Sequence, residues 1–286
     1  MLRYPNLFVM GAAKSGTTTL HSLLSVVDDI YMSGVKEPHF LAGSDVVRAA
    51  NRPKNASEYL ALFRNTGQER YLGESSASYL WSAQASRHTL IQNSQSKLMV
   101  ILRDPVERMV SQYWMDVRGG IQSVPIQEAF AQDLVATQTG WNGPSGHLYW
   151  EISMYGHQLK RYLRARDDGR LLILTTQELA QPRELALKLS NFLDVEVSSS
   201  LSLKQENSFS RPRGRIAGKV LSSPRLRRLS KKPLGKQLRP LAEGLLTSSR
   251  RDALDLQLIS QWRSHFTADG EILRREIGFS VPSDWY

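Results

Sequence analysis

The sequence of 286 residues lacks cysteine altogether. That absence excludes disulfide bonds and thiolate metal sites, and it is compatible with a reducing compartment. The six histidines are scattered along the chain without the regular spacing of a metal site. No apolar run approaches the roughly 20 residues of a membrane-spanning helix, and the first residues lack the pattern of a signal peptide. We therefore expect a protein that binds no metal.

Acidic side chains are almost missing from residues 211–251, which contain thirteen Lys or Arg residues and one acid, Glu243. The rest of the chain carries 24 basic and 26 acidic side chains, so the net charge of +10 belongs to this basic segment. We expect the basic segment to form a cap or a flexible loop region that could make weak contacts with anionic surfaces. Because it lacks regularly interleaved aromatic residues, nucleic acid is not an expected partner.

Strand and helix patterns alternate along the chain. Short apolar runs typical of buried strands occur at residues 7–10, 30–32, 97–102 and 170–175. Segments with helical patterns are residues 17–25, 57–63, 105–119, 149–163 and 182–193. Residues 121–146 are typical of a loop or insertion. This order predicts an α/β fold, a central parallel sheet flanked by helices. We expect one domain over residues 1–286, with a C-terminal helix at residues 252–286.

A glycine-rich loop, which we call the anion loop, follows the first predicted strand. Its residues 11–18 (GAAKSGTT) stand between an apolar run and a helix, so backbone N–H groups and the helix dipole would point at one anion. The residues expected to bind that anion are Lys14, Ser15, Gly16, Thr17 and Thr18. The ATP-binding pattern has lysine directly after its second glycine, where this loop has threonine. The loop therefore predicts a phosphate site for a donor other than ATP, with an incidental glycine turn as the less favoured alternative.

Arg103 and Ser111 indicate a second anion site. Arg103 follows the apolar run 97–102, and open α/β sheets bind ligands at the carboxyl ends of their strands. Ser111 stands two helical turns after Asp104, and a guanidinium together with a hydroxyl can bind a phosphate. The same residues are equally compatible with a capped helix in which Arg103 pairs with Asp104 or Glu107.

Two further polar stretches are ambiguous from their composition. Lys36, Glu37 and His39 fall within four residues, and a carboxylate such as Glu37 could act as a general base. Composition alone nevertheless favours a solvated turn, and His39 could be a base or a packed ring. Glu74 and the serines after it could line a pocket or form a serine-capped loop that leads into a helix.

Taken together, these motifs resemble those of sulfotransferases that use 3′-phosphoadenosine 5′-phosphosulfate (PAPS). The anion loop resembles that family's 5′-phosphosulfate loop, and residues 102–113 (LRDPVERMVSQY) resemble its 3′-phosphate motif. Residues 36–40 (KEPHF) and 73–80 (GESSASYL) resemble the branch that sulfates heparan chains and other glycans. That branch usually has Ser-Pro where this chain has Ser75-Ser76. The lack of cysteine and of an apolar anchor is more similar to soluble, cytoplasmic bacterial members.

The resemblance implies a P-loop-NTPase-like sulfotransferase fold and a role for each donor-binding motif. Lys14 would neutralise the bridging oxygen of the donor, while Arg103 and Ser111 would bind its 3′-phosphate. By the same similarity, the later residues Arg211, Arg213 and Gly214 would fold over the 3′-phosphate.

On the acceptor side, the resemblance implies that Glu37 deprotonates the acceptor hydroxyl. Lys36 or His39 would support the developing charge. His39 and Glu74 remain alternatives for the base.

The expected function is transfer of a sulfuryl group from PAPS to a hydroxyl of a sugar, another glycan or a small metabolite. Adenosine 3′,5′-bisphosphate (PAP) would be the product, and positioning and charge stabilisation would carry the catalysis without a metal. One alternative is a nucleotide or small-molecule kinase of the same fold, which a magnesium requirement would identify. The other is a non-catalytic basic protein that binds nucleic acid or anionic lipid, identified by steeply salt-dependent affinity. The oligomeric state is not predicted.

Overall fold

A computed structural model describes residues 3–45, 52–64, 66–91, 95–139, 148–198, 211–212, 247–248 and 255–286. The chain forms two compact units. The first unit comprises Met1–Pro105, Met154–Glu206 and His265–Tyr286, and the second comprises Val106–Ser153 and Asn207–Ser264. The assignment of residues 1–286 to one domain stays a prediction.

A parallel sheet forms the centre of the first unit. Its strands are β1 (Leu7–Gly11), β2 (Ile30–Met32), β3 (Tyr71–Ser75), β4 (Lys97–Leu102) and β5 (Leu171–Thr175). They lie in the order β2-β3-β1-β4-β5, and every neighbouring pair is parallel. This arrangement confirms the predicted α/β fold with a central parallel sheet. Strand β3 was not predicted, because Gly73 and Glu74 interrupt its apolar pattern.

The helices connect these strands or follow them. They are α1 (Thr17–Leu24), α2 (Ala56–Ala61), α3 (Ala83–Ile91), α4 (Pro105–Gly119), α5 (Ile126–Thr139), α6 (Tyr155–Leu159), α7 (Leu163–Asp167), α8 (Pro182–Leu193), α9 (Leu256–Ser264) and α10 (Thr267–Arg275). Short 3₁₀ segments lie at Phe40–Asp45, Glu151–Ser153, Lys160–Tyr162 and Glu178–Ala180.

Both faces of the sheet are buried, as the continuous apolar strands predict. Leu7 and Val9 pack with the apolar side chains of α1 and α8 on one face. Phe8 and Met10, which alternate with them, pack on the other face with side chains from α2, α6, α10 and with Trp285. The alternation follows from the two-residue period of a strand. It fixes the register of β1, so that its carboxyl end delivers the anion loop to one edge of the sheet.

The helix predicted at residues 57–63 is present as α2. It begins one residue earlier, at Ala56, and its cap is Asn55, whose side-chain oxygen accepts the Glu58 N–H at 2.9 Å. Two other local predictions were wrong. Residues 121–146, predicted as a loop, contain α5. The C-terminal helix predicted at residues 252–286 is divided into α9 and α10, and an irregular segment follows α10.

The predicted helix at residues 149–163 was also wrong, because this stretch is broken into short turns and helices. The carboxylate of Asp269 accepts the N–H groups of Gly156 at 2.8 Å and His157 at 3.0 Å, at the first turn of α6. A Cβ at Gly156 would lie 2.6 Å from the Asp269 carbonyl oxygen. This cap comes from a residue more than a hundred positions away, so local sequence patterns do not contain it.

In the second unit, an aromatic cluster surrounds Phe130 of α5. The rings of Tyr113, Tyr149, Trp150 and Trp262 lie 4.8–6.3 Å from its centroid. These contacts anchor a stretch rich in Gln and Thr as a helix, because Phe130 is fully buried among the rings.

Candidate active site

Four segments with functional side chains leave the sheet at one edge. Strands β2, β3, β1 and β4 are neighbours in that order, and all are parallel. Their carboxyl ends therefore lie together, where open α/β sheets bind ligands. Residues 33–39 follow β2, residues 76–79 follow β3, the anion loop follows β1, and Arg103 follows β4.

The anion loop turns sharply into α1. Lys14 and Gly16 have left-handed φ angles of 69° and 93°, and a Cβ at Gly16 would lie 2.6 Å from Leu179 Cδ1. In the described part of the chain no side chain caps α1, so its first N–H groups remain available to a ligand. The Ser15 hydroxyl is buried and has no hydrogen-bond partner among the described residues. A buried hydroxyl of this kind beside a helix N-terminus fits an anionic ligand group.

Arg103 lies beside the anion loop, as its position after β4 predicts. Its guanidinium donates to the Lys14 carbonyl oxygen at 3.3 Å. Ser111 lies on α4 in the second unit. Arg211 begins a two-residue strand, β6 (Arg211–Pro212), that pairs antiparallel with β7 (Thr247–Ser248). Arg213 and Gly214 lie outside the described residues.

Residues 36–39, which we call the acidic turn, are joined to the anion loop by a lysine. Lys36 Nζ lies 2.6 Å from Glu37 Oε1 and donates to Thr17 Oγ1 at 3.4 Å. The second carboxylate oxygen of Glu37 accepts the Ala77 N–H at 2.8 Å. The side chains of Lys36 and Glu37 are 25% and 23% exposed, so a ligand can reach them. The solvated turn that composition favours is wrong, because both side chains are held by specific contacts.

The backbone of the acidic turn is held by the last residue of β3, Ser75, and by Ser76, which follows it. Glu37 and His39 have left-handed φ angles of 57° and 53°, which are uncommon for residues other than glycine. The Glu37 N–H donates to the Ser75 carbonyl oxygen at 2.8 Å. The His39 N–H donates to Ser76 Oγ at 3.0 Å. These bonds offset the cost of the left-handed conformation.

His39 lies behind the Glu37 carboxylate. Its Nδ1 is 2.8 Å from Ser78 Oγ, and its Nε2 is 3.5 Å from Glu37 Oε2. Burial lowers the pKa of His39 below its ordinary value, despite the opposing effect of the Glu37 charge, and the nearby Arg52 and Lys36 lower it further. A lowered pKa favours the uncharged imidazole at neutral pH, so His39 lies beside the Glu37 carboxylate mainly as a neutral ring.

Glu74, at the end of β3, is fully buried. Its Oε1 accepts the hydroxyls of Tyr59 at 2.5 Å and Tyr79 at 2.7 Å, and its Oε2 accepts the Ser76 hydroxyl at 2.7 Å. Burial raises the pKa of this carboxyl to about 7, the nearby Glu37 charge also raises it, and the three hydroxyls oppose the rise. Its hydrogen-bond partners are all buried hydroxyl groups, so Glu74 stabilises the residues around the site rather than contacting a ligand.

The sequence interpretation missed the partners that organise the site. Tyr59, Tyr79 and Ser78 were not singled out, nor was His21 of α1, whose Nδ1 lies 2.8 Å from Ser75 Oγ. The available signal was the run of serines after Glu74. A polar run directly after a buried strand predicts a ligand-binding edge once that strand is recognised.

Within the part of the chain that the structure describes, no three His, Asp or Glu side chains are grouped as metal ligands. None of the described helices combines the length and the apolar character required to span a membrane.

Comparison with known proteins gives consistent matches. A family model described as "Sulfotransferase domain" matches residues 4–270. Heparan sulfate glucosamine 3-O-sulfotransferase 3A1 of Mus musculus is 25% identical over 195 residues, which are 67% of this chain and 46% of the relative. Heparan sulfate glucosamine 3-O-sulfotransferase 3B1 of Homo sapiens is 30% identical over 195 residues, with the same coverage. The chain thus spans about half the length of these relatives.

A solved structure extends the comparison to the whole chain. The sulfotransferase from Alicyclobacillus acidocaldarius aligns with a TM-score of 0.73 and 22% sequence identity, covering 99% of both chains. This likeness shows the fold. It agrees with the strand order and the parallel pairing described above.

Proposed function

Because this chain belongs to the sulfotransferase family, whose model covers residues 4–270, we propose that it transfers a sulfuryl group from PAPS to an acceptor hydroxyl. The observation that carries the proposal is the Lys36 ammonium, which contacts both Thr17 of the anion loop and the Glu37 carboxylate. The anion loop and Glu37, the candidate general base, are thereby held side by side. Transfer of a charged group to a hydroxyl requires this pairing.

The donor-binding residues fit an anionic nucleotide. The N–H groups at the start of α1 and the buried Ser15 hydroxyl would bind the 5′-phosphate, and Lys14 would stabilise the charge that develops beside it. Arg103 and Ser111 would bind the 3′-phosphate. PAPS would supply the sulfuryl group as a mixed anhydride, so no separate activation of the group is needed.

Glu37 is the proposed general base. As the acceptor oxygen forms its bond to sulfur, Glu37 takes the hydroxyl proton. The bond between sulfur and the 5′-phosphate oxygen breaks, and that oxygen keeps the electron pair, close to the charge of Lys14. The Ala77 N–H holds one carboxylate oxygen of Glu37 in place, and Lys36 stabilises the charge near the other.

The structure favours Glu37 over the two alternative bases. Glu74 is fully buried and accepts three hydroxyl groups, so an acceptor hydroxyl cannot reach it without dismantling those contacts. One ring nitrogen of His39 pairs with Ser78, and the other faces Glu37. We therefore assign His39 to orienting Glu37.

A sugar hydroxyl is the acceptor class we favour. Two relatives are named as heparan sulfate glucosamine 3-O-sulfotransferases. Their alignments cover 67% of this chain. The motifs of the acidic turn and of residues 73–80, which resemble the glycan branch, lie on the acceptor side of the anion loop.

Calorimetry with the intact chain tests the donor assignment. We expect PAP to bind in the presence of a chelator and ATP–Mg²⁺ not to bind. Incubation with PAPS and a panel of mono- and oligosaccharides should then give one sulfated product, detected by mass spectrometry. Binding of ATP–Mg²⁺ without binding of PAP would overturn the proposal in favour of a kinase.

A further inference from the structure

Glu74 is linked to the acidic turn through two hydroxyl groups. Ser76 and Tyr79 each donate a hydroxyl proton to the Glu74 carboxylate. The same two oxygens accept backbone N–H groups, Ser76 Oγ from His39 at 3.0 Å and Tyr79 OH from Leu41 at 3.1 Å. Because each hydroxyl proton points at the carboxylate, the oxygen lone pairs are left for the amides.

The third hydroxyl partner of Glu74, Tyr59, contacts the acidic turn's neighbour Phe40 through its ring. Tyr59 donates to Glu74 Oε1, and its ring stacks on Phe40 with centroids 4.4 Å apart and an interplanar angle of 15°. All three partners of one buried carboxylate therefore contact consecutive residues, 39–41, at the end of the acidic turn. This common dependence distinguishes Glu74 from an ordinary buried acid.

The ionised carboxylate accepts all three hydroxyl protons, whereas a protonated carboxyl must donate one proton itself. Protonation therefore forces at least one hydroxyl to reorient, and where that hydroxyl belongs to Ser76 or Tyr79, the geometry of the hydrogen bond it accepts from the His39 or Leu41 N–H changes with it. We propose that Glu74 is a positioning residue whose ionised form holds the acidic turn in the conformation required for transfer, and whose protonation releases it. This inference rests on the proposed function of the acidic turn.

The electrostatic surroundings place this switch near neutral pH. Burial and the Glu37 charge raise the pKa of Glu74 to about 7, while the hydroxyls of Tyr59, Tyr79 and Ser76 hold it down. The other charged or titratable groups at the turn are Lys36, Arg52 and His39. Burial lowers the pKa of His39 below its ordinary value, whereas burial raises that of Glu74.

Amide resonances report the switch without requiring turnover. In ¹⁵N-labelled protein we expect the His39 and Leu41 N–H signals to titrate together with a midpoint near 7. In Glu74→Gln this shared titration should vanish, while the exposed control Glu276→Gln should retain it. Signals that stay flat between about pH 5 and 9, or that still titrate in Glu74→Gln, would overturn the proposal.

Tyr59→Phe provides a second variant that leaves the carboxyl group and its other two partners in place. It removes one hydrogen bond to the charged form, so the midpoint should move upward by about one pH unit. An unchanged or lower midpoint would contradict the proposal, and this test holds even if Glu74→Gln does not fold.

The pH dependence of PAP formation from PAPS in the presence of the panel of mono- and oligosaccharides links the switch to function. In the natural chain kcat should fall as pH drops through about 7, with KM for PAPS unchanged, and this limb should be absent in Glu74→Gln. If the amides titrate as expected but PAP is never formed, the proposed function fails while the positioning role of Glu74 is supported. If PAP is formed with no limb near this pH, the positioning role fails alone.

Discussion

The buried carboxyl of Glu74 should make the stability of the protein depend on pH in a direction opposite to most acids. Its pKa is raised from 4.5 to about 7 in the folded state, and the side chain is fully buried. Folding therefore favours the protonated form. Its contribution to stability is fully present below pH 4.5 and is lost as the pH rises toward 7. A shift of about 2.5 units corresponds to about 3 kcal/mol.

Glu74→Gln removes this titration while keeping the shape of the side chain. We expect the free energy of unfolding of the natural chain, minus that of Glu74→Gln, to fall by about 3 kcal/mol between pH 4.5 and pH 8. Urea unfolding followed by circular dichroism at several pH values measures both free energies, and subtraction cancels the other titrating groups. Lost or altered hydrogen bonds of the glutamine add a constant offset, so the slope carries the test. A difference that stays flat, or that rises with pH, would refute the reasoning.

Three further predictions concern the site. Glu37→Gln should lower sulfate transfer by about 10²- to 10⁴-fold in a turnover assay while PAP affinity by calorimetry is retained, and near-normal transfer would move the base elsewhere. Lys14→Ala should lower kcat by about 10²- to 10³-fold, whereas the exposed control Lys160→Ala should behave like the natural chain; equal effects would contradict the role of Lys14. Gly16→Ala should destabilise the fold by more than about 1 kcal/mol in urea unfolding, and Leu179→Ala should relieve part of that added cost because Leu179 meets the new Cβ. Additive effects of these two substitutions would exclude the clash.

Local sequence patterns predicted the strands and helices whose apolar residues recur with a regular period. The apolar runs of β1 and β4 and the leucines of α1 follow the periods of strand and helix, so they were recognised. Strand β3 was missed because its buried positions hold Gly73 and Glu74. The glycine leaves room for the Met32 side chain, since a Cβ there would lie 2.2 Å from Met32 Sδ unless that side chain shifted.

The candidate site was predictable where its residues form a contiguous motif or directly follow a recognised strand, as Arg103 follows β4. The anion loop and the acidic turn are contiguous motifs, and the structure brings them together through Lys36 and Thr17. The contacts that hold the acidic turn come from residues about forty positions later, such as Ser76 and Ala77. The residues near Glu37 in the sequence do not include those partners. For this reason, composition alone favoured a solvated turn.

The two left-handed residues of the acidic turn have a consequence for transplanting this chemistry. Glu37 and His39 do not favour their own conformation, and each costs about 1–2 kcal/mol relative to an ordinary one. The conformation of the turn is therefore stabilised by a different stretch of the chain, residues 74–79, which contributes hydrogen bonds to it. A designer who grafts residues 36–39 onto another scaffold would obtain a relaxed loop. The smallest portable unit is the pair of strand ends, β2 and β3, with both of their extensions.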